Sequence, residues 1–162
     1  MSKPDLTTYG GALRDLGYAG QVTHEWGMAD IDSKVNEGAT AIDFGIAVAR
    51  GTTADDTCKA ISADGDKIIG VSVRAPMRPA DASGNVTYAQ RDAVPVLKQG
   101  FIYAIPFENV TRGDAALSIT AQGGKLGGTT GGAAGAGRVA VPGGVWETTT
   151  TAGTIGKLRL VS

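Results

Sequence analysis

Residues 31–51, IDSKVNEGATAIDFGIAVARG, decide the predicted fold of this 162-residue chain. A polar run with a turn at Glu37-Gly38 leads into residues 42–50, where apolar and small side chains alternate or cluster as in a half-buried strand. The residues before this stretch show no clear periodicity, and those after it have the pattern of short strands and turns. The sequence therefore predicts an extended N-terminal arm joined to an all-β body.

The predicted body consists of short strands separated by turn signals. The candidate strands are residues 42–49, 67–74, 94–98, 101–106, 115–121, 138–141, 145–150 and 154–161. The turn signals are Asp64-Gly65-Asp66, Ser83-Gly84-Asn85, Gln99-Gly100, Arg112-Gly113-Asp114 and Pro142-Gly143-Gly144. Gln99-Gly100 predicts a tight hairpin, and residues 53–60 are the best candidate for a short helix, with Thr53 as its N-cap. Strands at this spacing favour a β-sandwich or barrel, a jelly-roll-like body.

The predicted division places the arm at residues 1–40 and the body at residues 41–162. A Gly-rich loop is expected at about residues 123–137, since ten of the 25 glycines lie between Gly123 and Gly144. Apolar side chains of the arm are spread along it and do not gather on one face. An arm of this kind either binds a neighbouring subunit or wraps its own body, and the sequence leaves both possibilities open.

Composition excludes several classes of partner. The chain has 15 basic and 16 acidic residues, so it lacks the basic surplus that non-specific nucleic-acid binding requires. No apolar run approaches the ~20 residues of a membrane span, and the N-terminus lacks the hydrophobic segment of a signal peptide, so synthesis in the cytoplasm is expected. Cys58 is the single cysteine, which excludes an intramolecular disulfide and predicts a buried, unreactive thiol.

No catalytic, cofactor or metal site emerges from the motifs. His24 is the only histidine, and Met28 stands where a zinc-binding helix would carry its second one. The run that begins at Gly123 resembles a phosphate loop, but Leu126 follows Lys125 where such a loop has Ser or Thr. Asp64-Gly65-Asp66 is too short for a calcium loop. We therefore expect a non-enzymatic protein without cofactor or metal.

Taken in order, the strand and turn patterns resemble the structural cement (capsid decoration) proteins of tailed bacteriophages. The resemblance covers most of the chain from about Gly17 onward, although each motif is weak alone. The matching segments are residues 31–37, 41–51, 69–74, Tyr88, 94–97 with Gly100, 113–114, 123–127, 146–149 and 157–160. One departure is His24-Glu25-Trp26, where smaller polar residues are expected.

The resemblance implies a virion protein that binds the outer surface of the assembled capsid and clamps adjacent major capsid protein subunits. It also implies a homotrimer or homodimer that stabilises the capsid without binding nucleic acid or membrane. An arm that becomes ordered on binding needs large apolar anchors to offset the loss of entropy. The candidate partner-binding residues are Leu13, Leu16, Tyr18, Trp26 and Met28.

Two rival functions stay open at this point. An adhesin-like or carbohydrate-binding β module of a virion would expose aromatic side chains in its loops, for which Tyr88 and Trp146 are the available support. A small β-fold hydrolase would bring Asp55, Asp64 or Asp66 together with His24 in one pocket.

Overall fold

The computed structural model describes residues 17–23, 29–75, 78 and 86–161. Within these ranges the chain forms ten β-strands and two short 3-10 turns, Thr120–Gln122 and Thr129–Gly131, and no α-helix. The strands are β1 (Val22–Thr23), β2 (Asp30–Asn36), β3 (Ala47–Arg50), β4 (Thr57–Ala60), β5 (Ile68–Ser72), β6 (Ala93–Ala104), β7 (Ala115–Ile119), β8 (Lys125–Gly128), β9 (Arg138–Trp146) and β10 (Gly156–Leu160). The prediction of an all-β fold is confirmed.

Five strands close into a barrel. β2 pairs in parallel with β4, and β4 then pairs with β3, β3 with β5 and β5 with β6, all antiparallel. The antiparallel pairing of β6 with β2 completes the ring. Each of the five strands therefore has a paired neighbour on both sides for at least part of its length. Of the two predicted alternatives, sandwich and barrel, the chain adopts the barrel.

The long strand β6 connects the barrel to a second sheet. Its first half pairs with β2 and β5, and residues 100–104 pair with β10 in the second sheet, whose order is β1-β6-β10-β9-β7-β8. Gly100, with a φ of 128°, lies where β6 leaves the barrel. The predicted hairpin at Gln99-Gly100 is therefore wrong, because the glycine permits a bend within one strand and does not reverse the chain.

Pro142-Gly143-Gly144 likewise lies inside a strand, β9, and not in a turn between two strands. The pairing of β9 with β7 jumps from Leu117 opposite Ala140 to Ala115 opposite Val145. Gly143 takes a φ of 61° within this irregular stretch. The turn residues thus form a bulge, which is a common alternative use of glycine in strands.

Two apolar cores follow from the alternation of side chains along the barrel strands. In β3, Val48 points into the barrel, and its neighbours Ala47 and Ala49 pack between the barrel and the second sheet. The barrel interior contains Ile42, Ile46, Val48, Cys58, Ala60, Tyr88, Val94 and Val96. The larger core between barrel and sheet includes Leu97, Ile102, Leu117, Leu126, Trp146, Leu158 and Leu160.

The predicted helix at residues 53–60 is wrong, since β4 occupies its second half. Cys58 and Ala60 alternate into the barrel interior, which is a strand pattern that tertiary packing imposes. The amide of Thr53, the predicted N-cap, donates to the Glu37 carboxylate. The predicted burial of Cys58 is confirmed: its side chain is fully buried, and this burial, followed by the charge of Glu37, raises the pKa of the thiol to about 11.

The ordered body extends into the range assigned to the arm. Strand β2 lies within residues 1–40, and its pairing with β6 and β4 makes it part of the barrel. Residues 1–16 and 24–28 lie outside the described residues. The Gly-rich range 123–137 also contains regular structure, because β8 and the turn Thr129–Gly131 fall within it and Leu126 is fully buried.

One end of the barrel interior carries charge. The Asp32 carboxylate pairs with Lys34 at 2.9 Å and with Lys98 at 2.7 Å. These side chains share the face of Val94 and Val96, because Asp32 lies opposite Val96 and Lys34 opposite Val94. The hydrogen bonds from Lys98 and Lys34, in that order, lower the pKa of Asp32 to about 2.

We expect Asp32→Asn to lower stability near neutral pH and to lose this effect in acid. The pKa of Asp32 is lower in the folded than in the unfolded chain, so its ion pairs stabilise the fold fully above about pH 4. That stabilisation disappears as the pH falls through about 2, where the folded carboxyl takes up its proton. Urea unfolding of both proteins between these pH values measures the difference. A difference that does not change with pH would contradict the assignment.

Candidate functional site

Residues 17–23 enter the described structure along the second sheet. Gly20 N–H donates to the Tyr103 carbonyl at 2.8 Å, and Tyr103 N–H donates to the Gln21 carbonyl at 2.9 Å. The Gly20 carbonyl accepts from Arg74 N–H at 2.7 Å, which joins the segment to the chain just after β5. This entry segment (residues 17–23) therefore lies on its own body, as one of the two predicted possibilities for the arm requires.

Gly20 makes this close contact possible. Its φ is 78°, and a Cβ at this position would lie 2.8 Å from Arg74 N and 3.0 Å from Phe44 Cβ. Gly45, with a φ of 70°, meets Gly20 from the other side, since its own Cβ would lie 2.8 Å from Gly20 N. Both positions require the left-handed region and a backbone without a side chain.

We expect Gly20→Ala to destabilise the protein by about 1–3 kcal/mol and to loosen the entry segment first. Hydrogen exchange at the Gly20 and Tyr103 amides, together with urea unfolding, measures both effects. Gly65→Ala is the matched control, because nothing lies within 4 Å of a Cβ at Gly65. Equal behaviour of the two variants would show that the entry segment is not held by this contact.

Arg74 lies against two aromatic rings beside the entry segment. Its guanidinium carbon is 4.9 Å from the centroid of the Tyr18 ring and 5.4 Å from that of the Phe44 ring. Both distances are within the range of cation–π attraction, which favours arginine over the face of an aromatic ring. We call Tyr18, Phe44 and Arg74 the aromatic–arginine stack.

A groove of about 460 Å³ opens on the Tyr18 side of the stack. The Tyr18 side chain is 66% exposed and Ile31 is 44% exposed, so the groove has unusually accessible apolar walls for a folded protein. The lining residues of this Tyr18 groove are Tyr18, Gln21, Val22, Ile31, Val73 and Arg74.

A second groove, of about 510 Å³, opens on the Phe44 side. Phe107 and Ile105 are 47% and 45% exposed in it, and Lys125 Nζ lies 5.6 Å from the centroid of the Phe107 ring. Ala19 of the entry segment forms part of its wall. We call it the Phe107 groove. Phe44 of the stack lines this groove, whereas Tyr18 and Arg74 line the Tyr18 groove.

Of the five predicted partner-binding residues, the structure places only Tyr18, in the Tyr18 groove. Leu13, Leu16, Trp26 and Met28 lie outside the described residues, as does His24. Arg74 was not predicted as a site residue. Arg74 lies at the end of a predicted strand, and nothing in the sequence indicates that the rings of Tyr18 and Phe44 contact it.

The residues on which the rival functions depend have structural roles. Tyr88 and Trp146 are fully buried, so the aromatic side chains that supported an adhesin-like module are not available to a ligand. Asp55 pairs with Arg50, and Asp66 pairs with Lys59 and accepts from the amides of Ser62 and Ala63. Asp64 accepts from Thr120 Oγ1 and Gly137 N–H. Each carboxylate thus fixes a loop.

Within the described ranges, no three His, Cys, Asp or Glu side chains come close enough together to hold a metal ion. The same part of the chain contains no helix of the length and hydropathy needed to cross a membrane.

The fold and the grooves define a class of protein: a small β-barrel with partly apolar candidate binding surfaces beside its entry segment. Comparison with protein families then identifies the family. Residues 6–161 match the model of the structural cement protein family, described as structural cement protein (E217 gp24/Pam3 gp6). The chain belongs to this family of phage capsid-associated structural proteins, as the sequence resemblance predicted.

A solved structure has a similar fold. A chain from the capsid of Myoviridae phage XM1 superposes with a TM-score of 0.69 at 17% identity, and the match covers 89% of each chain. At this identity the likeness supports the common fold. A comparison with curated proteins gave no match.

Proposed function

We propose that this protein is a non-enzymatic cement protein that binds the outer surface of the assembled phage capsid and clamps adjacent major capsid protein subunits. The observation that carries the proposal is the pair of grooves at the entry segment, in a chain that belongs to the cement family. Exposed aromatic, aliphatic and arginine side chains in one place are typical of the residues that dominate protein interfaces.

Clamping requires a ligand that prefers the assembled shell. A protein that contacts two neighbouring subunits binds the shell better than free subunits, and it therefore stabilises assembly by mass action. A standard interface buries about 800 Å² per partner, which a body of this size can provide. The nearly neutral net charge of −1 supports a protein partner over nucleic acid.

The arm completes the proposed contact. In this proposal, Leu13, Leu16, Trp26 and Met28 add apolar anchors to the described Tyr18. Residues 1–16 join the described chain at Gly17, next to both grooves. Self-association as a homotrimer or homodimer would place several such arms on one shell and raise the overall affinity through effective concentration.

Co-sedimentation tests the proposal. The purified protein is mixed with empty shells of its cognate phage and, separately, with unassembled major capsid protein. We expect saturable binding to shells at a fixed stoichiometry and much weaker binding to free subunits. Binding to neither form, or equal binding to both, would contradict a clamp. Partial protease treatment of decorated shells then distinguishes outer-surface binding, since a protein inside the shell would be protected.

A further inference from the structure

We propose that Arg74 is the receptor for an acidic side chain of the capsid surface, which it binds at the edge of the Tyr18 groove. This inference rests on the proposed function and names the chemistry of the partner. The acidic residue would be flanked by apolar side chains that enter the Tyr18 groove. Three properties of Arg74 support it: its contact with two aromatic rings, its lack of an acidic partner in the described part of the chain, and its apolar surroundings.

The first property is that contacts within the protein position the guanidinium in the absence of a partner. Tyr18 and Phe44 contact it at 4.9 and 5.4 Å, and the backbone of Arg74 is itself bonded to Gly20. A planar group held in this way loses little rotamer freedom when it forms a bidentate bond. Lysine, which carries a point charge on a flexible stem, would lack this advantage.

The second property is that Arg74 has no carboxylate partner in the described part of the chain. Four other arginines there have one, among them Arg50 with Asp55, Arg78 with Asp92 and Arg138 with Glu108. Among the described residues the Arg74 guanidinium makes no hydrogen bond either, so its N–H groups can donate to a partner. A carboxylate matches that edge with two parallel hydrogen bonds.

The third property is the apolar surface around the charge. Val22, Ile31 and Val73 line the Tyr18 groove next to Arg74. A partner that covers these side chains removes water from the guanidinium, which strengthens its attraction for a carboxylate and makes an uncharged partner unfavourable. Arginine in such a setting is among the residues that most often dominate binding.

Shell binding by three variants tests the inference. We expect Arg74→Gln to weaken binding by about thirtyfold or more, as for an interface residue of the dominant kind. Arg74→Lys should recover part of that loss because it keeps the charge. Arg112→Gln is the matched control: Arg112 is exposed and lines neither groove, so this variant should bind like the wild type. Circular dichroism and urea unfolding confirm that all three variants fold.

Zero-length cross-linking identifies the partner group. A carbodiimide joins an amine to a carboxylate in contact with it, so R74K on shells should form an amide with an Asp or Glu of the major capsid protein. Mass spectrometry locates the linked peptides. A link from position 74 only to acids of its own chain would overturn the inference, as would unchanged binding by Arg74→Gln. Absence of binding by the wild-type protein would instead overturn the proposed function, and this inference with it.

Discussion

Trp146→Ala is expected to lower the free energy of unfolding by about 3–5 kcal/mol, the largest effect of any single substitution we propose. Trp146 is fully buried between the barrel and the second sheet. Its Nε1–H donates to the Gly127 carbonyl at 2.9 Å, so the side chain joins β9 to the Gly-rich strand β8. Alanine would leave a cavity and remove that donor. Urea unfolding measures the loss.

Trp146→Phe separates packing from hydrogen bonding in this experiment. Phenylalanine keeps much of the buried ring but cannot donate to Gly127, so we expect a smaller loss of about 1–3 kcal/mol. Hydrogen exchange should increase in β8 in both variants. A cost below about 1 kcal/mol for Trp146→Ala would contradict a shared core between barrel and sheet, since a fully buried tryptophan normally costs several times more.

Glu108→Ala is expected to be the second most damaging change, at roughly 2–3 kcal/mol. Both oxygens of its carboxylate accept from the Arg138 guanidinium, at 2.5 and 2.6 Å, and one also accepts from Gly128 N–H at 3.2 Å. The two side chains retain 19% and 22% exposure, which places the expected cost below that of a fully buried pair. The substitution leaves the Arg138 charge partly buried without its partner.

A double-mutant cycle with Arg138→Ala measures the interaction directly. We expect the double variant to be clearly more stable than the sum of the single losses predicts, because it leaves no unpaired charge. The hydrogen bonds from Arg138 are the main cause of the lowered pKa of Glu108 in the folded protein. The stability that this ion pair contributes is therefore fully present above the pKa of Glu108 in the unfolded chain, and it is lost as the pH falls through the lower pKa in the folded protein. Additive losses would show that the pair does not organise the Gly-rich range.

The Gly-rich range illustrates why part of the fold was not predictable. Its composition indicates a flexible loop, yet the range carries β8 and packs around Glu108. A Cβ at Gly127 would lie 2.3 Å from Glu108 Oε1, and one at Gly131 would lie 2.3 Å from Glu108 Cδ. The glycines therefore provide space for a carboxylate that is distant in sequence. This role of the glycines becomes apparent only from their contact with Glu108 in the folded chain.

Strand β6 shows the same limit in another form. The alternation of Val94 and Val96 predicted its first half, because a period of two is a local signal. The residues that followed, Gln99-Gly100, have the chemistry of a hairpin turn. Their actual role as a bend depends on β2 and β10, which pair with the two halves of the strand. Local rules cannot distinguish the two uses of glycine.

The candidate site shows the same contrast between a residue that local sequence indicates and one that only the fold reveals. Tyr18 was predicted as a partner-binding residue because it is a large side chain in an arm without its own core, and it is 66% exposed. Arg74 was missed because its significance depends on the rings of Tyr18 and Phe44, which the fold brings within 4.9 and 5.4 Å of its guanidinium carbon. Composition shows that an arginine is present but not that its guanidinium contacts two rings.

Cryo-electron microscopy of empty shells mixed with the purified protein tests the central claim most directly. We predict added density on the outer surface that bridges two major capsid protein subunits, with Tyr18 and Arg74 facing the shell. Density inside the shell, density confined to one subunit, or a bound protein whose two grooves face solvent would contradict the account.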